Sequence, residues 1–356
     1  MQERTMRPKK RLFVYSYPSM QDLADRVMAT KATTSVAYTL ASASSMGQSR
    51  EIRNSETMPF AYEHDVVRGV CNWGEYESGW PYLVTNTNDD LEGADIVYFA
   101  EMAQPSDIFT QYAHLCALAR SGARSLNICL PFFPVGTDER VTEPGQVATA
   151  KSLWRLLSSI PSCDSGQKPR LIVFDIHALQ EQFYPTDDLA LKLLTAMPLL
   201  RERLNALEVE EGICSAVAFP DAGARKRFGG EFTGRDTYLL EKVRKRGERP
   251  RVVIKEGDPR GEHVVLVDDL VLGGGTGVES ARVLLDAGAA SVSAFFTHFS
   301  PMQEAYRRFT PDIFRHVWMT NSCSLTVGQV AGLDHFEVID LRPILVDYIN
   351  QLLYGG

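Results

Sequence analysis

Short apolar runs rich in β-branched residues, separated by stretches of helical spacing, dominate the chain from about residue 95 onward. Residues 95–100, 125–130 and 170–176 read as buried strands, with helices at 107–120 and 147–160 between them. Strands covered by helices on both faces carry near-continuous apolar runs, so this alternation predicts parallel βαβ units. Ahead of them, 12–15 reads as a short strand and 21–28 as a helix. The theme returns in the second half, with strands at 214–219, 252–255, 263–268 and 291–297. A helix over 276–287 is stopped by Gly288, and a strand at 335–339 and a helix at 342–353 close the chain. From Thr30 to about Asp65 the sequence is polar, rich in Ser, Thr and Ala, and shows no period; it reads as an insertion or long loop.

A length of 356 residues supports two such α/β domains, drawn at 10–190 and 191–356, with the last helix able to pack back on the first. The formal net charge of −8 argues against non-specific nucleic-acid binding, which needs a cationic surface. No run approaches the ~18 apolar residues of a membrane span, and the basic N-terminus lacks the apolar stretch of a signal peptide. The six cysteines are scattered without a CxxC pair, which predicts buried thiols in a reducing compartment. The cytoplasm fits best, and an organelle is not excluded.

The segment His263-Val-Val-Leu-Val-Asp-Asp-Leu-Val-Leu-Gly-Gly-Gly-Thr276 carries the most chemistry. A buried strand delivers two carboxylates to its carboxyl end, the edge at which parallel sheets bind ligands. The glycines allow a tight turn, and Thr276 opens a helix whose N-terminus attracts anions through its dipole and free N–H groups. Gly273, Gly274, Gly275 and Thr276 are thus candidates to hold a phosphate, and Asp268 and Asp269 to hold vicinal hydroxyls. A dinucleotide fingerprint fails because Val278 occupies its last glycine position, and a P-loop fails because no lysine follows. A plain strand-to-helix turn is the competing reading. Burying two acids costs too much for that to be common.

This segment resembles the PRPP-binding motif of the phosphoribosyltransferases and ribose-phosphate diphosphokinases, with Gly273 where those families usually have Ser or Thr. Arg170-Leu-Ile-Val-Phe-Asp-Ile-His-Ala-Leu-Gln-Glu-Gln-Phe-Tyr184 resembles the kinase signature around its metal-binding histidine. Ala218-Phe-Pro-Asp-Ala-Gly223 resembles its magnesium-binding turn, and Tyr238-Leu-Leu-Glu-Lys-Val-Arg244 its catalytic loop. With Leu130-Pro-Phe-Phe-Pro-Val-Gly-Thr-Asp-Glu-Arg140 and Gly145-Gln-Val-Ala-Thr-Ala150, the similarity is to the plant-type, class II enzymes, from about residue 83 to 348.

The resemblance implies two type I phosphoribosyltransferase-like domains. It implies transfer of the β,γ-diphosphoryl group of ATP, with other nucleoside triphosphates left open as donors, to the 1-hydroxyl of ribose 5-phosphate. Magnesium would be held by His177 and Asp221, and the polyphosphate clamped by Lys242 and Arg244. Tyr76 and Glu77, in the family's base-contacting loop, together with Thr137 and Asp138, would bind the nucleotide. A homo-oligomer that needs no inorganic phosphate is also implied. On the residues alone, the alternatives stay open: a satisfied core histidine for His177, a turn acid for Asp221, a solvated basic face for Lys242 and Arg244, and core packing for Tyr76. Two rival functions are a phosphoribosyltransferase and a catalytically silent regulatory subunit.

Overall fold

The computed structural model describes residues 10–30, 64–243 and 251–354. Nearly all of the polar insertion, and Arg244, lie outside the described residues. The chain divides into two compact units: one ends at Leu194 and takes in the C-terminal segment from Arg342, and the other is Thr195–Leu341.

The first unit contains β1 (Lys10–Ser16), α1 (Gln21–Ala29), β2 (His64–Arg68), the hairpin β3 (Cys71–Glu75) and β4 (Pro81–Thr85), α2 (Asn88–Leu91), β5 (Asp95–Phe99), α3 (Pro105–Ala119), β6 (Ser125–Cys129), α4 (Thr149–Ser158), β7 (Arg170–Phe174) and β8 (Ala190–Leu194). Its six-stranded sheet runs β2-β1-β5-β6-β7-β8, with every neighbour parallel. All of β5 is buried, and four of the five residues of β6 and of β7 are buried, as two-sided coverage demands. On α4, Ala150, Leu153, Trp154 and Leu157 form one apolar face at helical spacing and are all buried.

The second unit contains α5 (Met197–Glu211), β9 (Ser215–Phe219), α6 (Ala222–Phe228), β10 (Thr237–Val243), β11 (Arg251–Glu256), β12 (His263–Val271), α7 (Gly275–Asp286), β13 (Ser291–Phe299), β14 (Val317–Thr320), α8 (Ser324–Val330) and β15 (Phe336–Ile339). Its seven-stranded sheet runs β11-β10-β9-β12-β13-β14-β15. Only the β10–β11 pair is antiparallel. The last helix, α9 (Arg342–Tyr354), belongs to the first unit and packs against α1.

Most strands with a uniformly buried run were legible in the sequence; the short buried β14, and β8 at a sheet edge and mostly half-buried, were not. The helix predicted to open at Thr276 begins one residue earlier, and the strand predicted to end at Asp268 runs on to Val271. Three cysteines depart from the expected burial: Cys71 and Cys116 are half-buried and Cys214 is exposed, while Cys129, Cys163 and Cys323 are buried.

Candidate active site

In the second unit, β12 pairs with β9 only as far as Leu266, opposite Ala218, while β13 accompanies it to Val271, opposite Phe299. Beyond Leu266 the β9 side of β12 is therefore open, and Asp268 and Asp269 occupy this stretch. Asp269 is 3% exposed and its Oδ1 lies 3.5 Å from Arg227 of α6. The Asp269 backbone N–H donates to Asp268 Oδ1 at 3.0 Å. Part of Asp268 stays accessible, yet crowding by protein atoms pushes its carboxyl well above the usual carboxylate range. The neighbouring Asp269 adds to that rise, and Asp221 adds less.

Asp221 sits just past the end of β9 in an extended conformation and caps α6, its Oδ1 accepting the Ala224 N–H at 2.9 Å. It is exposed, so the reading as a simple turn acid describes part of its work. Proximity to Asp268 describes the rest.

After Val271 the chain turns through Gly273 and Gly274. Of the three consecutive glycines only Gly274 is left-handed, at φ +74°. A Cβ there would also come within 2.8 Å of the Phe309 ring, so conformation and space both require glycine. No side chain caps α7, leaving the amides at the start of the helix, from Gly275 and Thr276, to face whatever binds the turn. Gly275 and Thr276 are exposed. Lys242 is exposed at the outer end of β10, opposite Val252 of β11.

In the first unit, β7 ends at Phe174 and Asp175 follows in a left-handed conformation, φ 31°. Asp and Asn adopt this region at lower cost than other side chains. His177 comes two residues later and is exposed, which removes the core-histidine reading. The next residues form a one-turn helix, Leu179–Phe183, and it ties down the loop 131–140. Tyr184 Oη donates to the Glu139 carbonyl at 2.8 Å, and Gln180 Nε2 donates to Glu139 Oε1 at 3.4 Å. Within that loop Thr137 is half-buried and Asp138 exposed.

Tyr76 and Glu77 lie at the turn of the β3–β4 hairpin, where the Tyr76 N–H donates to the Trp80 carbonyl at 2.8 Å. Tyr76 is 56% exposed and lies against Tyr82, 5.1 Å between ring centres, so it is not a core residue. Trp73 is the hairpin aromatic that packs inward, edge-on to Tyr17 and His114.

Two functional neighbours escaped the sequence reading. Arg227 lies in a basic run, Arg225-Lys226-Arg227, and sequence alone does not say which of the three turns inward. Glu181 stands in the sequence only as one residue of the 170–184 motif, yet it is fully buried. Between Gln180 and Gln182 nothing in the sequence marks it as buried.

No cluster of three or more His, Cys, Asp or Glu side chains among the described residues could enclose a metal ion. Magnesium does not need such a cage. It binds through one or two carboxylates, keeping waters and taking substrate phosphates. Asp221 and Asp268, the first near enough to raise the carboxyl of the second, fit that donor set.

An acid pair, Asp269 buried and Asp268 partly so, that leads into a glycine turn and an uncapped helix N-terminus at the carboxyl edge of a mainly parallel sheet is the arrangement expected of a sugar-phosphate-binding α/β protein. No family model matches the chain. "Ribose-phosphate pyrophosphokinase 3, chloroplastic" of Oryza sativa subsp. japonica is 40% identical over 298 residues, covering 82% of this chain and 72% of that protein. "Ribose-phosphate pyrophosphokinase 4" of the same organism is 41% identical over 286 residues, covering 78% and 87%. The crystal structure of phosphoribosylpyrophosphate synthetase from Mycobacterium smegmatis superposes with a TM-score of 0.72 at 20% identity, covering 98% of this chain and all of that one, and shows the shared fold. The chain belongs to the ribose-phosphate pyrophosphokinase family, and its two units have the type I phosphoribosyltransferase-like fold.

Proposed function

We propose that this chain transfers the β,γ-diphosphoryl group of ATP to the 1-hydroxyl of ribose 5-phosphate, giving phosphoribosyl diphosphate and AMP. The observation that carries the proposal is the continuous run from Asp268 and Asp269 into the Gly274 turn and α7, in a chain 40% identical to a ribose-phosphate pyrophosphokinase. In this reading the acids take the ribose hydroxyls. The turn at Gly273, Gly274, Gly275 and Thr276 takes the 5-phosphate through backbone N–H groups.

In the reaction the anomeric oxygen attacks the β-phosphorus in line, the bond to the α,β-bridging oxygen breaks, and AMP leaves. Charge accumulates on the equatorial and leaving oxygens, so positioning and charge stabilisation supply most of the catalysis. Lys242 is the cation of the second unit suited to that charge, and its exposure leaves it able to reach a polyphosphate. Arg244, its proposed companion, lies outside the described residues. Asp221 and His177 are the proposed magnesium ligands, with Asp268 beside Asp221. Bound magnesium would neutralise polyphosphate oxygens. Tyr76, Glu77, Thr137 and Asp138 are proposed to bind the nucleotide.

We also infer a homo-oligomer. Exposed Tyr76, Trp80 and Tyr82 on one hairpin support it, because they offer aromatic surface to a second copy. The compartment is the cytoplasm or an organelle. The first rice relative is named as chloroplastic, and no helix among the described residues is long and apolar enough to cross a membrane.

The test is AMP formation by purified protein given ATP, ribose 5-phosphate and magnesium. AMP must appear only when all three are present. Pyrophosphate release from phosphoribosyl diphosphate and a nucleobase, with no AMP formed, would replace this reading by the phosphoribosyltransferase one.

A further inference from the structure

Glu181 is fully buried, and only half of its carboxylate is accounted for. Its Oε2 accepts the Trp154 indole N–H at 2.9 Å, while its Oε1 has no hydrogen-bond partner among the described residues. On its far side lies Gly136, the buried middle of the loop 131–140. A Cβ placed on Gly136 would be 3.4 Å from Glu181 Oε1 and 3.5 Å from the Cβ of His177. Gly136 therefore seats directly on both residues. The indole that Glu181 holds is stacked on Phe133 of the same loop, 4.4 Å between ring centres and 15° between planes. The loop is thus gripped at Phe133, Gly136 and Glu139, each time by α4 or by the segment that follows His177.

Stability does not explain a carboxyl in this place. Leaving a buried polar atom unpaired costs free energy, and an apolar residue of the same volume would avoid the cost. Burial pushes the Glu181 carboxyl up to about 7; Glu139 also raises it, while the Trp154 bond, the Ala178 backbone and His177 pull the other way. Groups that proteins keep buried at such a cost, against a candidate site residue, are candidates for function.

We propose that Glu181 is a positioning residue that couples His177 to the loop carrying Thr137 and Asp138, fixing that loop where it meets the nucleotide. The inference rests on the reading of Thr137 and Asp138 as nucleotide-binding residues. It adds a specific expectation: perturbing Glu181 shifts nucleotide binding and leaves sugar-phosphate binding alone, because the sugar-phosphate turn belongs to the other unit.

The experiment measures KM for ATP and for ribose 5-phosphate separately, in the full-length protein with magnesium, for Glu181→Leu, Glu181→Gln and Gly136→Ala. Glu181→Leu should raise the ATP KM roughly fivefold or more while the ribose 5-phosphate KM stays within about twofold, as expected for directly coupled neighbours. Glu181→Gln keeps the side-chain length and an oxygen for the indole, and should recover most of the loss. Gly136→Ala adds a methyl at ordinary contact distance from Glu181 and His177 and serves as the packing control, so it should leave both KM values within about twofold. Trp154 emission, isolated by subtracting the Trp154→Phe protein, should respond to magnesium-ATP in the wild type and not in Glu181→Leu. Equal changes in both KM values, or unchanged KM values with only a lower melting temperature, would show a space-filling residue and overturn the proposal. Thr137→Ala and Asp138→Ala test the nucleotide reading by itself. If they leave the ATP KM unchanged, that reading fails, and the Trp154 response still decides whether Glu181 couples to the loop.

Discussion

The ends of β7 and β12 stand at the carboxyl edges of a parallel and a mainly parallel sheet and do opposite things. At β12 the chain passes from two acids through a left-handed glycine into a twelve-residue helix with no side-chain cap. The anion-attracting groups there are backbone amides, and they exist because the turn is open. At β7 no long helix follows. A left-handed Asp175, a one-turn helix and a buried Glu181 lock the segment against α4, and the exposed chemistry is a side chain, His177. On the proposed function, the same edge of the same kind of sheet receives a phosphate once and once holds a histidine and a loop in place. Fold class alone does not distinguish them; the residues after each strand do.

The sharpest way to test the contrast is to remove a charge beside the receiving edge. Lys242→Ala should lower turnover by at least ~100-fold with folding intact, as loss of a transition-state charge contact does. Circular dichroism and steady-state kinetics read the two halves of that statement. Activity near normal would leave the polyphosphate without its proposed clamp.

A smaller effect is expected from Gly274→Ala, which sets a Cβ against Phe309 at a positive φ. It should cost roughly 1–3 kcal/mol of stability and raise the ribose 5-phosphate KM more than the ATP KM. The pattern is the mirror image of that expected for Glu181→Leu. Were both variants to move the same KM, the division of labour between the two strand ends would be lost.

The mildest test uses pH, through two buried histidines whose values burial lowers: His114 in the first unit and His263 in the second. Burial pulls both down from 6.5 to about 4. A lowered folded value means that the unfolded chain binds more protons between pH 4 and 6.5. The stability from each is therefore complete above pH 6.5 and drains away as pH falls toward 4. By pH 5.5 each should have cost on the order of 1 kcal/mol. His114→Gln should flatten the fall of the unfolding midpoint between pH 7 and 5, and an unchanged slope would show that His114 is not the group responsible.

Much of this was readable beforehand. Uniform apolar runs announced β5, β6, β7, β9 and β13 because two-sided burial leaves little freedom in residue choice. The Asp268–Thr276 turn announced itself because strand, acid pair, glycines and helix are consecutive in the chain. The edge strand β8 and the short helix α6 gave weaker signals, since half-exposed elements accept many residue types. Arg227 and Glu181 were out of reach for another reason: their meaning lies in a partner far along the chain. Arg227 is one of three basic neighbours until Asp269 picks it out, and Glu181 is one acid in a polar stretch until Trp154 and Gly136 close over it.

By itself, then, the sequence determined the α/β class, the positions of most strands and the local pattern of the Asp268–Thr276 turn, because these follow from periodicity and from residues adjacent in the chain. Only the tertiary structure decided that His177 is exposed, that Asp221 lies close enough to Asp268 to affect its proton, and that Glu181 is sealed beneath Gly136. Burial and electrostatic coupling depend on distance through space, and sequence separation carries almost no information about that distance until the sheets have formed.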